Sequence, residues 1–225
     1  PEDRMPALGL AVSGGHTSWV DMPAYGTYRI IGQTLDDAAG EAFDKAAKLL
    51  GLGYPGGPII DREAKRYEGD DYIQFPKVRP RPGTAALAGL DADLCTSFSG
   101  LKTSLLTYAR NVRAEKGDIP SDEIPRICAS YQRAIVSSLA DRTAHALRNG
   151  RYRSLIVGGG VSLNGALREA LRSVADKAGV ELMLAKPKYC GDNAAMIAGL
   201  AYYRRELTGT DALVADVAPS LEAGD

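Results

Sequence analysis

Acidic side chains repeated along one helical face, three glycine-rich turns and a lone aspartate between a strand and a helix are the features of this 225-residue sequence that suit chemistry. Over residues 36–50, Asp37, Glu41, Asp44 and Lys48 recur at i, i+4, i+7 and i+11, within about 60° of one another on a helical wheel. A solvated face with Glu41–Lys45 and Asp44–Lys48 ion pairs accounts for such a stripe by itself. The alternative is that a carboxylate on this face reaches into a cleft to hold a ribose hydroxyl or a hydrated cation, which needs a rigid negative acceptor.

The turns are Val12-Ser13-Gly14-Gly15-His16, Pro55-Gly56-Gly57 and Gly158-Gly159-Gly160-Val161-Ser162. Each borders an apolar element, and glycine lets backbone N–H groups come close to an anion. A glycine turn between a strand and a helix also aims the helix N-terminus at a phosphate or ribose. Taken singly, each is equally explained as a tight turn. The P-loop pattern GxxxxGK[ST] does not occur, which leaves a nucleotide held between two glycine-rich loops, the binding mode of actin-like and sugar-kinase folds.

Lys188-Tyr189-Cys190-Gly191-Asp192-Asn193 stands after a strand and at a helix start. Asp192 there is either an N-cap, worth about 1 kcal/mol, or a metal ligand at the C-terminal edge of a sheet. One carboxylate cannot hold a transition metal alone. The two histidines, His16 in the first glycine turn and His145 in an apolar helix, lack HxxxH spacing, so they form no ligand pair on one helix face. Cys95, Cys128 and Cys190 are odd in number, far apart and without CxxC spacing, the pattern of buried thiols rather than of disulfides or a zinc site.

The elements that must position these groups alternate short apolar runs with helical patterns, which predicts an α/β fold. Residues 8–12 and 17–20 read as a hairpin and 28–32 as a third strand. The helix over 36–50 takes Asp36 and Asp37 as its acidic N-terminus and Gly51 and Gly53 as its end. Residues 77–93, rich in Pro, Gly and Arg, read as irregular. Helices follow around 101–113 and 121–149, then a buried strand over 153–157, a helix over 162–178, a strand over 181–185 and a small-residue helix opening at Asp192 or Asn193. From about 208 a loosely held tail is expected.

With 45% apolar and 24% charged residues the chain suits one compact domain or two small ones. Its net charge of −1 gives no general attraction for nucleic acid, so any RNA contact must be a local patch. Lys77, Arg79 and Arg81 in the irregular stretch, and Arg148, Arg151 and Arg153 near a strand start, are the candidates; both groups are equally read as solvated surface. No long apolar run and no basic leader before an apolar stretch occurs, which points to a cytoplasmic protein without a membrane segment.

Taken in order, Val12-Ser13-Gly14-Gly15-His16-Thr17, Asp36-Asp37-Ala38-Ala39-Gly40-Glu41-Ala42-Phe43-Asp44-Lys45, Tyr54-Pro55-Gly56-Gly57, Ser97-Phe98-Ser99-Gly100-Leu101-Lys102-Thr103, Gly158-Gly159-Gly160-Val161-Ser162-Leu163-Asn164 and Cys190-Gly191-Asp192-Asn193 resemble the TsaD family of tRNA threonylcarbamoyltransferases. The match runs in register from residue 8 to about 206. The resemblance implies the nucleotide-binding lobe of an actin-like ATPase/sugar-kinase fold, a mixed sheet with flanking helices. It also implies transfer of a threonylcarbamoyl group from threonylcarbamoyl-AMP to N6 of the adenosine 3′ to the anticodon in tRNAs reading ANN codons. The adenylate would lie against Ala11, Val12, Ser13, Gly14 and Gly15, with Asp44 and Asp61 at the ribose, Gly57 at a backbone approach and Asn164 beside the base or ribose.

Asp192 would be one ligand of an iron (Fe2+) or zinc ion. The family's other ligands come from an N-terminal lobe with an HxxxH-type motif that this sequence lacks, so the chain, whose Pro1 falls just before the first strand, reads as the C-terminal part of the enzyme. The implied partners are tRNA and TsaB-like and TsaE-like proteins of a bacterial threonylcarbamoylation complex. The rival expectations are a non-catalytic nucleotide-binding scaffold and an ATPase or kinase relative.

Overall fold

The computed structural model of the chain describes residues 2–80, 90–148 and 151–203; Arg81 and the expected tail from 208 lie outside the described residues. The first strand, β1 (Ala7–Val12), is buried at five of its six positions, and so many apolar side chains on both faces suit only the middle of a covered sheet. It lies there: the order is β3-β2-β1-β4-β5, with β2 (Thr17–Ala24) and β3 (Thr27–Gln33) antiparallel on one side. On the other side β4 (Ser154–Gly158) and β5 (Glu181–Leu184) are parallel. The sheet is mixed, as the fold expectation requires.

Six helices are described: α1 (Ala39–Leu49), α2 (Gly56–Ala64), α3 (Ser99–Lys116), α4 (Ile124–Leu147), α5 (Gly165–Ala178) and α6 (Ala194–Tyr203). The apolar stripe of α1, with Ala39, Ala42, Phe43, Ala46 and Ala47 all buried, faces the core. The long α4 packs on α2 and α5 and reaches the sheet. There the fully buried Trp19 of β2 donates through Nε1 to Thr143 Oγ1 at 3.0 Å, which fixes the helix against the strand.

Two departures from the sequence reading have clear causes. Helix α1 begins at Ala39 with no side-chain cap, because Asp36 accepts instead from Phe98 N at 2.7 Å and Ser97 Oγ at 2.5 Å and so serves the start of α3. Asp37 takes Lys45 Nζ at 2.6 Å. The helix expected over 162–178 is interrupted by a single 3-10 turn, Gly160–Leu163, before α5 opens with Asn164 as its cap.

The irregular stretch is held to α4 by a buried cation. Arg142 donates to Cys95 O at 2.9 Å, Val78 O at 2.5 Å and Ser138 Oγ at 2.7 Å, and burial pulls its pKa below the usual arginine value.

Backbones come closest where α1 meets α2. A Cβ on Gly56 would lie 2.5 Å from Phe43 O and 2.6 Å from Asp44 Cα, whereas one on Gly57 would meet nothing within 4 Å. Gly56→Ala is therefore expected to destabilise the chain by about 1–3 kcal/mol. Gly57→Ala should be neutral or stabilise by up to ~1 kcal/mol. Urea unfolding of the two variants checks this, and equal effects would show that the approach is not what excludes a side chain at Gly56.

Candidate functional site

Strands β1 and β4 are neighbours, with Ala11 opposite Gly158, so the turns that follow them leave the same edge of the sheet side by side. The first turn is shaped by Ser13, whose Oγ accepts from Gly15 N at 3.3 Å and His16 N at 3.0 Å. The second is held against the first strand by Gly159, which has φ +96° and leaves no room for a Cβ beside Val12 O.

From there a closed circuit of contacts can be followed. Gly40 N of α1 donates to Ser13 O at 3.1 Å, and a Cβ on Gly40 would lie 2.6 Å from that oxygen. One turn along α1, Asp44 Oδ1 accepts from Gly56 N at 2.6 Å, holding the N-terminus of α2 where its orphan N–H groups and dipole favour a carboxylate. Along α2, Asp61 Oδ2 takes Lys65 Nζ at 2.6 Å, and Lys65 Nζ lies 3.6 Å from where a Cβ on Gly165 would stand. Asn164, next to it, caps α5 by accepting from Leu167 N at 3.0 Å and donates Nδ2 to Gln132 Oε1 of α4 at 2.7 Å. The 3-10 turn before Asn164 returns to Gly159 and β1.

Of the candidate residues, Ser13, Asp44, Asp61 and Asn164 make contacts of this circuit; Ala11, Val12, Gly14 and Gly15 lie on the strand and turn where it begins, and Gly57 follows Gly56. Asp192 stands beside the circuit: Ser162 Oγ and Cys190 Sγ are 3.5 Å apart, and Asp192 is exposed two residues further on. It is not the cap of α6, since Asn193 Oδ1 accepts from Met196 N at 3.2 Å. The glycines divide into two kinds. Gly40, Gly56 and Gly159 are pressed on backbone, whereas a Cβ on Gly14, Gly15, Gly57, Gly158 or Gly160 would meet nothing within 4 Å. The second set leaves bare backbone facing open space, as close approach of a ligand requires.

Polar groups of the circuit are mostly engaged. Lys45 sits between Asp37 at 2.6 Å and Glu41 at 2.8 Å. The hydrogen bond to Asp37, then that to Glu41, raises the ammonium pKa, and the hydrogen bond from Lys45 holds Glu41 below the usual carboxylate range. The expected Glu41–Lys45 pair is thus present, while Asp44 serves Gly56. Among the described residues, Asp61 Oδ1 and Thr96 Oγ1 are buried side-chain oxygens with no hydrogen-bond partner, and Asp61 is the one that belongs to the circuit. Sequence reasoning missed Lys65, although its i,i+4 spacing from Asp61 was a usable signal.

The cysteines Cys95, Cys128 and Cys190 are buried and unpaired, and burial pushes the Cys128 thiol up to about 12. Donor atoms of Asp91, Asp93 and His145 lie within 4.8 Å of one another, a group able to hold a metal ion. In the structure Arg148 Nη2 is 2.9 Å from His145 Nδ1 and Asp91 Oδ2 is 3.3 Å from Nε2. Arginine can only donate, so Nδ1 accepts and Nε2 carries the proton toward Asp91. An ion there would have to displace one of these contacts.

The different duties of the two end residues give a test. Asn164→Ala removes an N-cap and the bond to Gln132 and is expected to cost about 1–2 kcal/mol. Asp192→Ala should leave the urea midpoint of this chain unchanged, because Asn193 does the capping; a matching loss in both variants would contradict this division.

The sequence profile described as "TsaD: tRNA N6-adenosine threonylcarbamoyltransferase" matches residues 1–199. A tRNA N6-adenosine threonylcarbamoyltransferase of Anaeromyxobacter sp. (strain Fw109-5) is 49% identical over 211 residues, 92% of this chain and 59% of that protein. One of Clostridium kluyveri is 40% identical over 223 residues, covering 99% and 62%. The chain thus spans about three fifths of the length of these curated relatives. The crystal structure of full-length HypF in the phosphate- and nucleotide-bound form superposes with a TM-score of 0.61 over 89% of this chain and 33% of that one at 11% identity. That likeness shows the fold alone. The chain belongs to the TsaD family, the tRNA N6-adenosine threonylcarbamoyltransferases.

Proposed function

We propose that this chain is the nucleotide-binding part of a cytoplasmic enzyme that transfers the threonylcarbamoyl group of threonylcarbamoyl-AMP to N6 of the adenosine 3′ to the anticodon in tRNAs reading ANN codons. The observation that carries the reading is the circuit itself. Glycines 14, 15, 57, 158 and 160 have open space where a side chain would stand, beside two parallel strand ends, with carboxylates at Asp44 and Asp61 on the flanking helices. An adenylate suits that arrangement, since its phosphate approaches glycine N–H groups at helix and turn starts and its ribose hydroxyls need acceptors.

Asp61 fits the second need well. A buried carboxylate oxygen without a donor costs free energy unless something fills the role, and a ribose hydroxyl is a donor of the right kind. Asp44 holds α2 in place and keeps Gly57 at the cleft. Asn164 orders the start of α5 and borders the base or ribose.

The reaction asks chiefly for positioning. Attack of N6 on the carbamoyl carbon forms the new C–N bond and breaks the carbonyl C–O bond to phosphate. AMP leaves with that electron pair, and the N6 proton passes to solvent. Backbone donors that hold the phosphate steady the charge on the leaving AMP. Asp192, an exposed carboxylate beside the 3-10 turn, would be one ligand of an iron or zinc ion. Such an ion would supply Lewis-acid polarisation of a carbonyl oxygen held beside it. TsaB-like and TsaE-like proteins are the expected partners.

Gly57→Ala separates binding from folding. The new methyl enters space the adenylate uses, so AMP affinity measured by calorimetry should fall about tenfold or more, by the loss of one charge-assisted contact, with no loss of stability. AMP binding equal to that of the parent would remove Gly57 from the site. In a protein of the relatives' full length, Asp192→Ala should lower bound iron or zinc measured by elemental analysis, and undiminished metal would exclude Asp192 as a ligand.

A further inference from the structure

At the opposite edge of the sheet from the glycine turns lies a cavity of about 470 Å³ that the proposed reaction does not use. Five residues separate Leu8, paired with Asp21, from Ser13, which at strand rise is roughly 16 Å. Three guanidinium groups from separate segments line the cavity: Arg29 on β3, Arg148 at the end of α4 and Arg151 before β4. His145, Tyr152 and Asp91 complete its polar wall.

Two of the arginines are held in place from beneath. Asp21, only 6% exposed, receives Arg29 Nη2 on Oδ2 and Arg151 Nη2 on Oδ1, each at 3.0 Å. Arg151 also lies over the Tyr152 ring, 4.9 Å from its centroid, and donates to its hydroxyl at 2.8 Å. Asp21 balances one of these two guanidinium groups and Arg148 adds a third, while Asp91 and Asp93, whose carboxylates lie with His145 within 4.8 Å of one another, offset the remaining charge, so the site is set by arginine geometry rather than by a net excess of charge. Asp91, the one acid among the lining residues, is turned to His145. The same edge carries Arg153, whose N–H donates to Pro6 O, and Arg4, which is 3.5 Å from Glu181. Such concentration in a chain of net charge −1 is local.

We propose that this cavity is a phosphate site that takes a backbone nucleotide of RNA. Arginine forks match phosphate oxygens two at a time, and arginines already fixed on Asp21 lose little freedom on binding. The volume exceeds that of a phosphate group and suits a phosphate with its sugar, within the usual range of small-ligand cavities. Arg153 continues the basic edge beyond the cavity, with Arg4 next to it but paired with Glu181, as an extended polyanion would use and a free phosphate would not. The inference rests on the RNA substrate proposed above and adds where part of its backbone is held.

The test is fluorescence anisotropy of a labelled anticodon stem-loop RNA on this chain over a salt series, with Arg29→Gln, Arg148→Gln and, as a control for net charge, Arg110→Gln on the exposed side of α3. Neither cavity variant removes a buried group, and thermal unfolding confirms that each is folded. Each should weaken RNA binding by about tenfold, equally for unrelated sequences, and lower the slope of log K against log salt by about one. Arg110→Gln should do neither. AMP binding at the glycine circuit, measured on the same proteins, should not change, so failure of this site is distinct from failure of the proposed activity. RNA affinity and slope unchanged in both cavity variants would overturn the proposal. Inorganic phosphate binding that is lost in Arg148→Gln while RNA binding persists would show a small phosphate ester as the ligand and overturn the RNA assignment.

Discussion

Backbone packed on backbone, at points where no side chain can stand between, is the constraint from which the rest of this structure follows. Gly40 lies on Ser13 and Gly14, Gly56 on Phe43 and Asp44, and Gly159 on Val12. Each contact joins the end of one element to the body of another, and each is tolerant only of hydrogen at Cα. Together they draw α1, α2 and the strand ends of β1 and β4 around one space. Asp44 adds the electrostatic part: it sits on α1 yet its carboxylate closes the N-terminus of α2, so one residue fixes both a helix position and a local charge.

Rigid placement explains why the remaining glycines can be bare. A glycine in a mobile turn loses a large conformational entropy on ordering, but Gly14 and Gly15 follow a serine that binds two of the turn's amides. Gly57 follows a residue already locked against α1. The open glycines are therefore presented by a pre-ordered frame, and ligand contact with their backbone carries little further ordering cost. The same logic makes the unpartnered Asp61 oxygen tolerable, because α2 is held at both ends, at Gly56 by Asp44 and beyond Ala64 by Lys65 near Gly165.

What could be read from the sequence was what depends on local period and residue type. The hairpin, the apolar stripe of α1 and the mixed arrangement of strands and helices all follow from patterning within a few turns of chain. The residues proposed for the site were legible because glycine and carboxylate motifs mark backbone approach and acceptor chemistry. Illegible were the assignments decided across long separations. Asp36 looks like a cap for the helix it precedes, but its partner is Phe98, 62 residues away. Asp192 and Asn193 are equal as caps on paper; the backbone path decides for Asn193. Arg142 on an apolar helix gives no hint that it binds the carbonyls of Val78 and Cys95, and Arg29 and Arg151 meet only because Asp21 lies between them in the folded sheet.

Charge placement ties these features to the kind of molecule the chain can engage. Near-neutral overall, it exerts no long-range pull on a polyanion, and at physiological salt a field extends only about 8 Å. The glycine-lined end carries Asp37, Glu41, Asp44 and Asp61, partly balanced by Lys45 and Lys65, so an anion held there would have to rest on backbone N–H groups rather than on side-chain cations. The arginine edge is the reverse: no helix N-terminus or glycine turn is directed there by the lining residues, and its positive groups stand on side chains. Separating the two along the strands by roughly 16 Å, about two screening lengths, lets each end keep its own electrostatic character.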